Sequence, residues 1–183
     1  MKNAMLIALF IILLVSNIMA FDGEREGFIL GFGAGIGNTS IDKVKDYERH
    51  EDHTGLYTDF RIGVALTNQF LIHYSGKQLY GGTDSGWILF YPGVGLTYYK
   101  NPHSPSLMLM TGIGLTGGAG FDKVGRYDMD LVGSGINLYV GIGYEYAKHF
   151  MVEFNYSFST GKIIFDPDHK TQMVSLSLHY LAY

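Results

Sequence analysis

Residues 26 to 41, EGFILGFGAGIGNTSI, alternate between apolar residues and glycine. Successive side chains of a β-strand point to opposite faces, so a period of two separates these two kinds of residue. The stretch therefore predicts a strand with one apolar face and one nearly empty face. The apolar face holds Phe28, Leu30, Phe32, Ala34 and Ile36.

Alternation of this kind recurs eight times along the chain, and a regular series is much stronger evidence for membrane strands than one segment alone. In the second segment, Phe60 and Ile62 share one face, while Asp59 and Arg61 share the other. The predicted strands are residues 26–37, 56–66, 69–80, 87–99, 106–117, 135–147, 150–160 and 171–183.

The glycines distinguish between two kinds of alternating sheet. A soluble β-sandwich buries its apolar face and exposes polar residues such as Lys, Glu, Thr and Ser, rather than glycine. Glycine suits a confined interior, because an eight-stranded barrel is just wide enough to be filled by side chains. The sequence therefore predicts an all-β fold, an eight-stranded antiparallel up-and-down transmembrane β-barrel with lipid outside and a crowded lumen inside.

The links between the predicted strands differ in length. Those after the second, fourth and sixth strands are short, at residues 67–68, 100–105 and 148–149. The other four are mostly longer and more polar, at residues 38–55, 81–86, 118–134 and 161–170. Short turns on one rim and long loops on the other are typical of outer-membrane barrels, with the turns periplasmic and four loops outside the cell. An even strand count returns both termini to the periplasmic side.

Residues 1–20 run from Lys2 through a continuous apolar stretch to Ala20, which is the layout of a secretory signal peptide that is cleaved after export. An uncleaved anchor is the alternative, but the apolar run is shorter than the about 20 residues a spanning helix needs. We therefore expect a signal peptide at 1–20 and a barrel domain at 21–183. No later apolar run reaches spanning length, so the mature chain would cross a membrane only as strands.

Composition excludes several classes of function. Without Lys2 the chain has 12 Lys and Arg against 17 Asp and Glu, which argues against a nucleic-acid partner. The absence of cysteine excludes a disulfide framework, a thiol nucleophile and a lipid-modified cysteine. We expect no cofactor and no bound metal.

The odd-even count also places polar side chains in the lumen. A buried charge costs several kcal/mol unless it is paired, so we expect Arg61 to pair with Glu145, Glu153 or both. A proton or ion pathway is the functional alternative to such a structural network. Its members are Asp59, Arg61, His73, Glu145, Glu153 and His179, with Lys77 near the outer end of its strand.

Aromatic residues cluster at the predicted strand ends, where interfacial girdles of a membrane barrel would lie. Some of them could instead belong to the core. They are Phe70, Tyr74, Trp87, Phe90, Tyr91, Tyr98, Tyr99, Tyr144, Tyr146, Phe150, Phe158, Tyr180 and Tyr183.

The chain resembles small outer-membrane β-barrel proteins of Gram-negative bacteria, in the manner of the transmembrane domain of outer membrane protein A and the X/Ail group. The resemblance covers residues 26–183 and includes the final VSLSLHYLAY, which ends in an aromatic residue. It implies a monomer in the outer membrane, in contact with its lipid and lipopolysaccharide, and recognised by the barrel-assembly machinery through the C-terminal strand. Leu181 and Tyr183 depart from the phase of Tyr180, which predicts a bulge or an early strand end.

Three functions follow. The leading one is a non-enzymatic scaffold whose four outer loops serve surface interaction or envelope integrity, with an extracellular ligand at the loops. The second is a lipid A modifying enzyme, since His73 and Ser75 share a strand face and look a little like the pair of outer-membrane deacylases. The third is a narrow channel. The GFGAGIG stretch is no dinucleotide site, because no helix follows it.

Two loops combine carboxylates with imidazoles, which can bind divalent cations but are more often a solvated mixture of charges. The first loop holds Glu48, His50, Glu51, Asp52 and His53, and the last holds Asp166, Asp168 and His169.

Overall fold

The computed structural model describes residues 24–43, 49–81, 86–121, 127–128, 134–163 and 166–183. The predicted signal peptide at 1–20 lies outside the described residues. Within the described part of the chain there is no helix long and apolar enough to cross a membrane.

Eight long strands and one short pair of extended residues make up the structure. Most strands extend beyond their predicted ends, chiefly on the side of the long links. The two-residue β6 pairs only with the end of β5. The strands are β1 Gly27–Lys43, β2 Arg49–Thr67, β3 Phe70–Gly81, β4 Gly86–Tyr99, β5 Ser106–Phe121, β6 Tyr127–Asp128, β7 Ser134–Ala147, β8 Phe150–Ile163 and β9 Asp166–Ala182.

The long strands form a closed antiparallel ring, which confirms the predicted fold class. Neighbours in sequence pair with one another, β4 pairs with β5, and β1 closes the ring with β9. A path that starts at Gly31 and moves from each residue to its register partner on the next strand returns to β1 at Ile41. This offset of ten residues is the shear of the barrel. The path runs through Arg61, Ser75, Gly93, Gly114, Asn137, Ser159 and Thr171.

Successive residues of each strand alternate between the outer wall and the lumen, as the sequence predicts. On β1, Phe32 and Ile36 are 56% and 65% exposed, whereas the inward Ile29 is 0% exposed. Among the described residues 33 large hydrophobic side chains are exposed. A soluble monomer rarely exposes so continuous an apolar surface, so the outer wall is built to meet a nonaqueous environment.

The apolar outer surface forms a band. At its long-loop end the band gives way to polar outward residues. These are Asn38 on β1, Thr54 on β2, Thr160 on β8 and Gln172 on β9. About ten residues per strand, at about 3.3 Å rise and about 40° tilt, give a band of about 25 Å. At the short-turn end, outward aromatic residues border the band, and the ring of Phe150 packs 5.3 Å from that of Tyr180.

Glycine makes room for large inward side chains. A Cβ at Gly33 would overlap the imidazole of His179. A Cβ at Gly95 or Gly112 would overlap the ring of Tyr139. The empty strand face seen in the sequence is thus the space that these side chains occupy in the lumen.

One expectation about the ends of strands is wrong. β9 continues to Ala182 without a register shift near its end, and Leu181 and Tyr183 are buried on the inner face. They break the outward apolar series because they belong to the core, so neither a bulge nor an early end is needed. Four of the aromatic residues considered for the girdles face the lumen and belong to the core instead, namely Trp87, Tyr91, Tyr99 and Tyr183.

We expect an arginine in place of Val140 to destabilise the barrel by about 2–4 kcal/mol, because this valine faces outward near the middle of the band. An arginine at the outward Val152, one outward position from Phe150 at the border, should cost less. The free energy of unfolding from lipid vesicles in denaturant measures this. Thr160→Arg, outward but beyond the band, is the control and should cost about 0–1 kcal/mol. A negligible loss at both valines would contradict the assigned faces.

Candidate functional site

The structure places all six predicted lumen residues inside the barrel. Each is at most 4% exposed, as is Lys77. They do not form one network. Most of them lie in a central layer, while Glu145 lies at the short-turn end of the lumen. The six are Asp59, Arg61, His73, Glu145, Glu153 and His179.

Arg61 is the centre of the middle layer. Its Nη1 donates to Glu153 Oε1 at 2.7 Å. Its Nε and Nη2 donate to Asp59 Oδ2 at 2.9 and 2.6 Å. The guanidinium thus links carboxylates from β2 and β8. Of the two partners expected from the sequence, Arg61 binds Glu153 and not Glu145, and Asp59 is an additional partner.

Lys77 supplies the second cation of this layer. Its Nζ donates to Ser75 Oγ at 2.6 Å and lies 3.4 Å from Asp59 Oδ2. The same Nζ lies 3.8 Å from the centre of the Tyr139 ring on β7. Two cations therefore face the two carboxylates Asp59 and Glu153, so the layer carries no net charge when its histidines are neutral.

The two histidines lie at the edges of the layer. His179 Nε2 is 2.9 Å from Ser177 Oγ and 3.3 Å from Glu153 Oε2. His73 Nε2 is 3.0 Å from Thr97 Oγ1. Both imidazoles are buried and hydrogen-bonded through Nε2, as structural core histidines usually are, while His73 Nδ1 has no hydrogen-bond partner among the described residues.

The polar layer lies between two apolar ones. Along β3, Leu71 lies below the layer and Leu79 above it, with Ser75 and Lys77 between them. The inner apolar layer, toward the short turns, contains Ile29, Ala65, Leu71, Tyr99, Met108, Met110, Met151, Leu181 and Tyr183. The outer apolar layer contains Ile41, Tyr57, Leu79, Leu89, Tyr91 and Met173, with Trp87 packed against it.

Arg25 occupies the short-turn mouth of the lumen, and it is the residue that the sequence reasoning missed. Its Nη1 donates to the carbonyl oxygens of Asn68, Asn101 and Pro102 at 2.8–2.9 Å. Its Nη2 pairs with Glu145, and its Cζ lies 4.0 Å from the centre of the Tyr99 ring. Arg25 precedes the first strand, so odd-even counting gave no signal for it.

The C-terminal residue completes this contact. The Tyr183 hydroxyl donates to Glu145 Oε1 at 2.8 Å and accepts from the His149 backbone N–H at 3.3 Å. Arg25 and Tyr183 therefore meet at Glu145, and both ends of the described chain lie at the short-turn rim, as the even strand count predicts.

The carboxylates and the imidazole of the central layer also resemble a metal-ligand set. Potential ligand atoms of Asp59, Glu153 and His179 lie within 4.8 Å of one another. Arg61 donates to both carboxylates, so its guanidinium already supplies the positive charge that this cluster requires.

The His73 and Ser75 pair lacks the geometry of a lipid-cleaving dyad. Ser75 Oγ donates to Asp59 Oδ1 at 2.9 Å and accepts from Lys77, while His73 binds Thr97. Both side chains are buried in the lumen, at 2% and 0% exposure, and face away from the lipid side. A nucleophile and its base need to contact each other and the substrate.

The two loop clusters of carboxylates and imidazoles fall mostly outside the described residues. The side chains of His50 and Glu51, and of Asp166, Asp168 and His169, are not described, and neither is Glu48. Of the first cluster, the His53 ring lies 5.1 Å from that of Trp87, at the outer end of the lumen.

No family model matches the chain, and no curated protein matches it. Solved structures with the same architecture do match. Ail, the attachment invasion locus protein of Yersinia pestis, solved in complex with the heparin analogue sucrose octasulfate, aligns with a TM-score of 0.57 at 15% identity, over 85% of this chain and 99% of Ail.

Two further solved structures align comparably. Neisserial surface protein A gives a TM-score of 0.57 at 13% identity, over 84% of this chain and 96% of that protein. The outer membrane protein OprG from Pseudomonas aeruginosa gives 0.53 at 10% identity, over 88% and 99%. At these identities the likeness establishes a shared fold, which confirms the structural resemblance expected from the sequence.

We expect Arg61→Ala to cost about 3–5 kcal/mol of unfolding free energy, because it leaves Glu153 and Asp59 buried without their main partner. Glu153→Gln should cost less, since the amide oxygen still accepts a hydrogen bond. Lys100→Ala, at an exposed turn cation, is the control and should change little. Equal stability of all three variants in denaturant titrations would contradict a paired lumen network.

Proposed function

We propose that the chain is an integral outer-membrane protein whose sealed barrel is a non-enzymatic scaffold that presents its outer loops for surface interaction or envelope integrity. The observation that carries this proposal is the layered lumen, in which a paired polar layer lies between two apolar layers. A filled interior leaves the outer surface and the loops as the parts available for function.

The outer wall supports the proposed location in an outer membrane. A continuous apolar band with aromatic residues at its short-turn border matches the thickness and girdle of outer-membrane barrels. The predicted signal peptide and the fold shared with Ail and OprG support the same location. The ring closes within one chain, which supports a monomer. The regular β9, with Leu178 and Tyr180 outward, supports recognition of the C-terminal strand by the barrel-assembly machinery.

The outer ends of the strands suit a display role. β1 continues six residues beyond Gly37 to Lys43, and β2 begins at Arg49, five residues before Thr54. These segments pair with each other from Asn38↔Thr54 to Lys43↔Arg49. Paired strand segments that extend past the apolar band stand away from the membrane surface, where an extracellular ligand can reach them.

The channel and the enzyme are less favoured by the same geometry. Two apolar clusters and the paired charges fill much of the narrow interior, which argues against a continuous path for water and ions. The hydrolytic alternative requires His73 and Ser75 to reach a lipid, but both lie inside the wall.

Conductance tests the scaffold proposal. We expect vesicles containing the full chain to be no more permeable to ions and small sugars than protein-free vesicles. Arg25→Ala should give the same result, because both apolar layers remain after the plug at the short-turn mouth is removed. A porin reconstituted in parallel is the positive control.

Steady conductance by the unaltered chain would favour the channel and contradict the proposal. A change in the mass spectrum of lipid A that requires His73 or Ser75 would favour the enzyme and equally contradict it.

A further inference from the structure

The guanidinium of Arg25 fills a site at the short-turn mouth that distant parts of the chain build. The carbonyl oxygen of Asn68 comes from the link after β2, and those of Asn101 and Pro102 come from the link after β4. The carboxylate comes from Glu145 on β7. Arg25 is only 1% exposed, so these groups enclose its side chain almost completely.

The turns that supply the carbonyl oxygens are held in place by hydrogen bonds of their own. Gln69 Nε2 donates to the carbonyl oxygen of Tyr99 at 3.2 Å, and the Tyr99 N–H donates to the carbonyl oxygen of Gln69 at 2.8 Å. In the second turn the Asn101 N–H donates to Ser106 Oγ at 2.9 Å. None of these bonds involves Arg25. The carbonyl oxygens therefore keep their positions whether or not a guanidinium lies between them.

The carboxylate and the aromatic wall of the site are fixed in the same way. The Tyr183 hydroxyl donates to Glu145 Oε1 at 2.8 Å, which leaves Oε2 to pair with Arg25. The ring centres of Tyr99 and Tyr183 lie 4.0 and 5.9 Å from Arg25 Cζ. A planar cation that donates along its edge and stacks with its face matches these groups, whereas a compact ammonium ion does not. The site therefore selects a guanidinium.

Arg25 reaches the site on a short strap, residues 24–26, that precedes β1. Asn68 grips the strap, since its Oδ1 accepts from the Arg25 N–H at 2.7 Å and its Nδ2 donates to Glu24 Oε2 at 2.7 Å. Gly27 joins the strap to β1 with a φ of 115°, a conformation that suits glycine, and a Cβ there would meet no atom within 4 Å. Rotation at Gly27 would move the strap off the mouth while the rest of β1 stays paired.

We propose that the short-turn mouth is a preformed binding site for a guanidinium group, that Arg25 occupies it in the closed state, and that a guanidinium-bearing ligand takes its place when the strap turns away at Gly27. The site lies at the opposite end of the barrel from the display loops, and the inference does not rest on the proposed scaffold role. Arg25 is tethered beside the site, so its effective concentration is about millimolar or higher and it excludes weak ligands.

Chemical rescue of Arg25→Ala in the full chain tests the site. The vesicle-embedded variant is unfolded in urea at increasing concentrations of ethylguanidinium, which carries the end group of an arginine side chain. We expect ethylguanidinium to raise the urea midpoint of Arg25→Ala until the effect saturates, and to leave the midpoint of the unaltered chain unchanged at the same concentrations. Ethylammonium should require an about tenfold higher concentration, because it lacks the planar set of donors.

Arg25→Ala combined with Glu145→Gln is the control, and it should show no rescue because the carboxylate is gone. Arg25→Gln replaces Arg25→Ala in the titration if the alanine variant does not fold. An equal response of the Arg25 variant and the unaltered chain would overturn the site, as would equal rescue by ethylguanidinium and ethylammonium.

Gly27→Ala tests the movable strap. Alanine is strained at a φ of 115°, so the closed position of the strap becomes less favourable. We expect ethylguanidinium to raise the urea midpoint of Gly27→Ala, although this variant retains Arg25. Gly76→Ala is the matched control, since a Cβ at Gly76 makes only ordinary contact with the Tyr74 ring, and it should respond as the unaltered chain does. No difference between the two glycine variants would contradict a strap that opens at Gly27.

Discussion

The closed ring of eight strands with a shear of ten is the constraint on which the remaining structure depends. Pairing β1 with β9 and β4 with β5 leaves no open edge along the wall, so backbone groups within an apolar environment are satisfied inside the sheet. Strand number and shear together set the radius, and for eight strands the interior has room for side chains and little else. The inward glycines follow from that radius. His179 and Tyr139 can occupy their positions in the lumen only because Gly33 and Gly95 carry no Cβ.

The same narrow interior determines how charge is handled. Arg61 and Lys77 neutralise Asp59 and Glu153 in one layer, and an apolar cluster lies on each side of that layer. Breaking one partner of such a network costs more than the pair contributes, because a lone charge is left far from water. A separate pair, Arg25 with Glu145, closes the short-turn mouth and joins the N-terminal segment to Tyr183. The described ends of the chain are thereby tied to the rim and to each other, independently of the strand pairing.

Much of this architecture could be predicted from the sequence because a period of two leaves few alternatives. The eight strands, their faces and the inward position of Arg61 and Glu153 all followed from parity. Odd-even counting assigns a side chain to a face, but it does not give its height along the barrel axis or its distance from other side chains. It therefore could not show that Arg61 binds Glu153 while Glu145 lies at the short-turn mouth. Leu181 was misread because an apolar inward residue breaks the simple rule of apolar outside and polar inside. Arg25 was missed because it lies before β1, where no periodicity operates, and the strand extensions beyond Gly37 were missed because their outward residues are polar.

The assignment of alternate residues to lipid and lumen is the central claim, and the absence of cysteine makes it directly measurable. Single cysteines introduced along β7 from Ile136 to Tyr144 can carry nitroxide labels in the vesicle-embedded protein. The measured quantity is the rate at which each label collides with oxygen, which concentrates in the hydrocarbon of the bilayer. This rate should be low at the residues between the outward positions and high at the outward positions themselves, which are Ile136, Leu138, Val140, Ile142 and Tyr144. An oxygen accessibility that does not alternate with a period of two, or that is high only at the odd positions, would contradict the account.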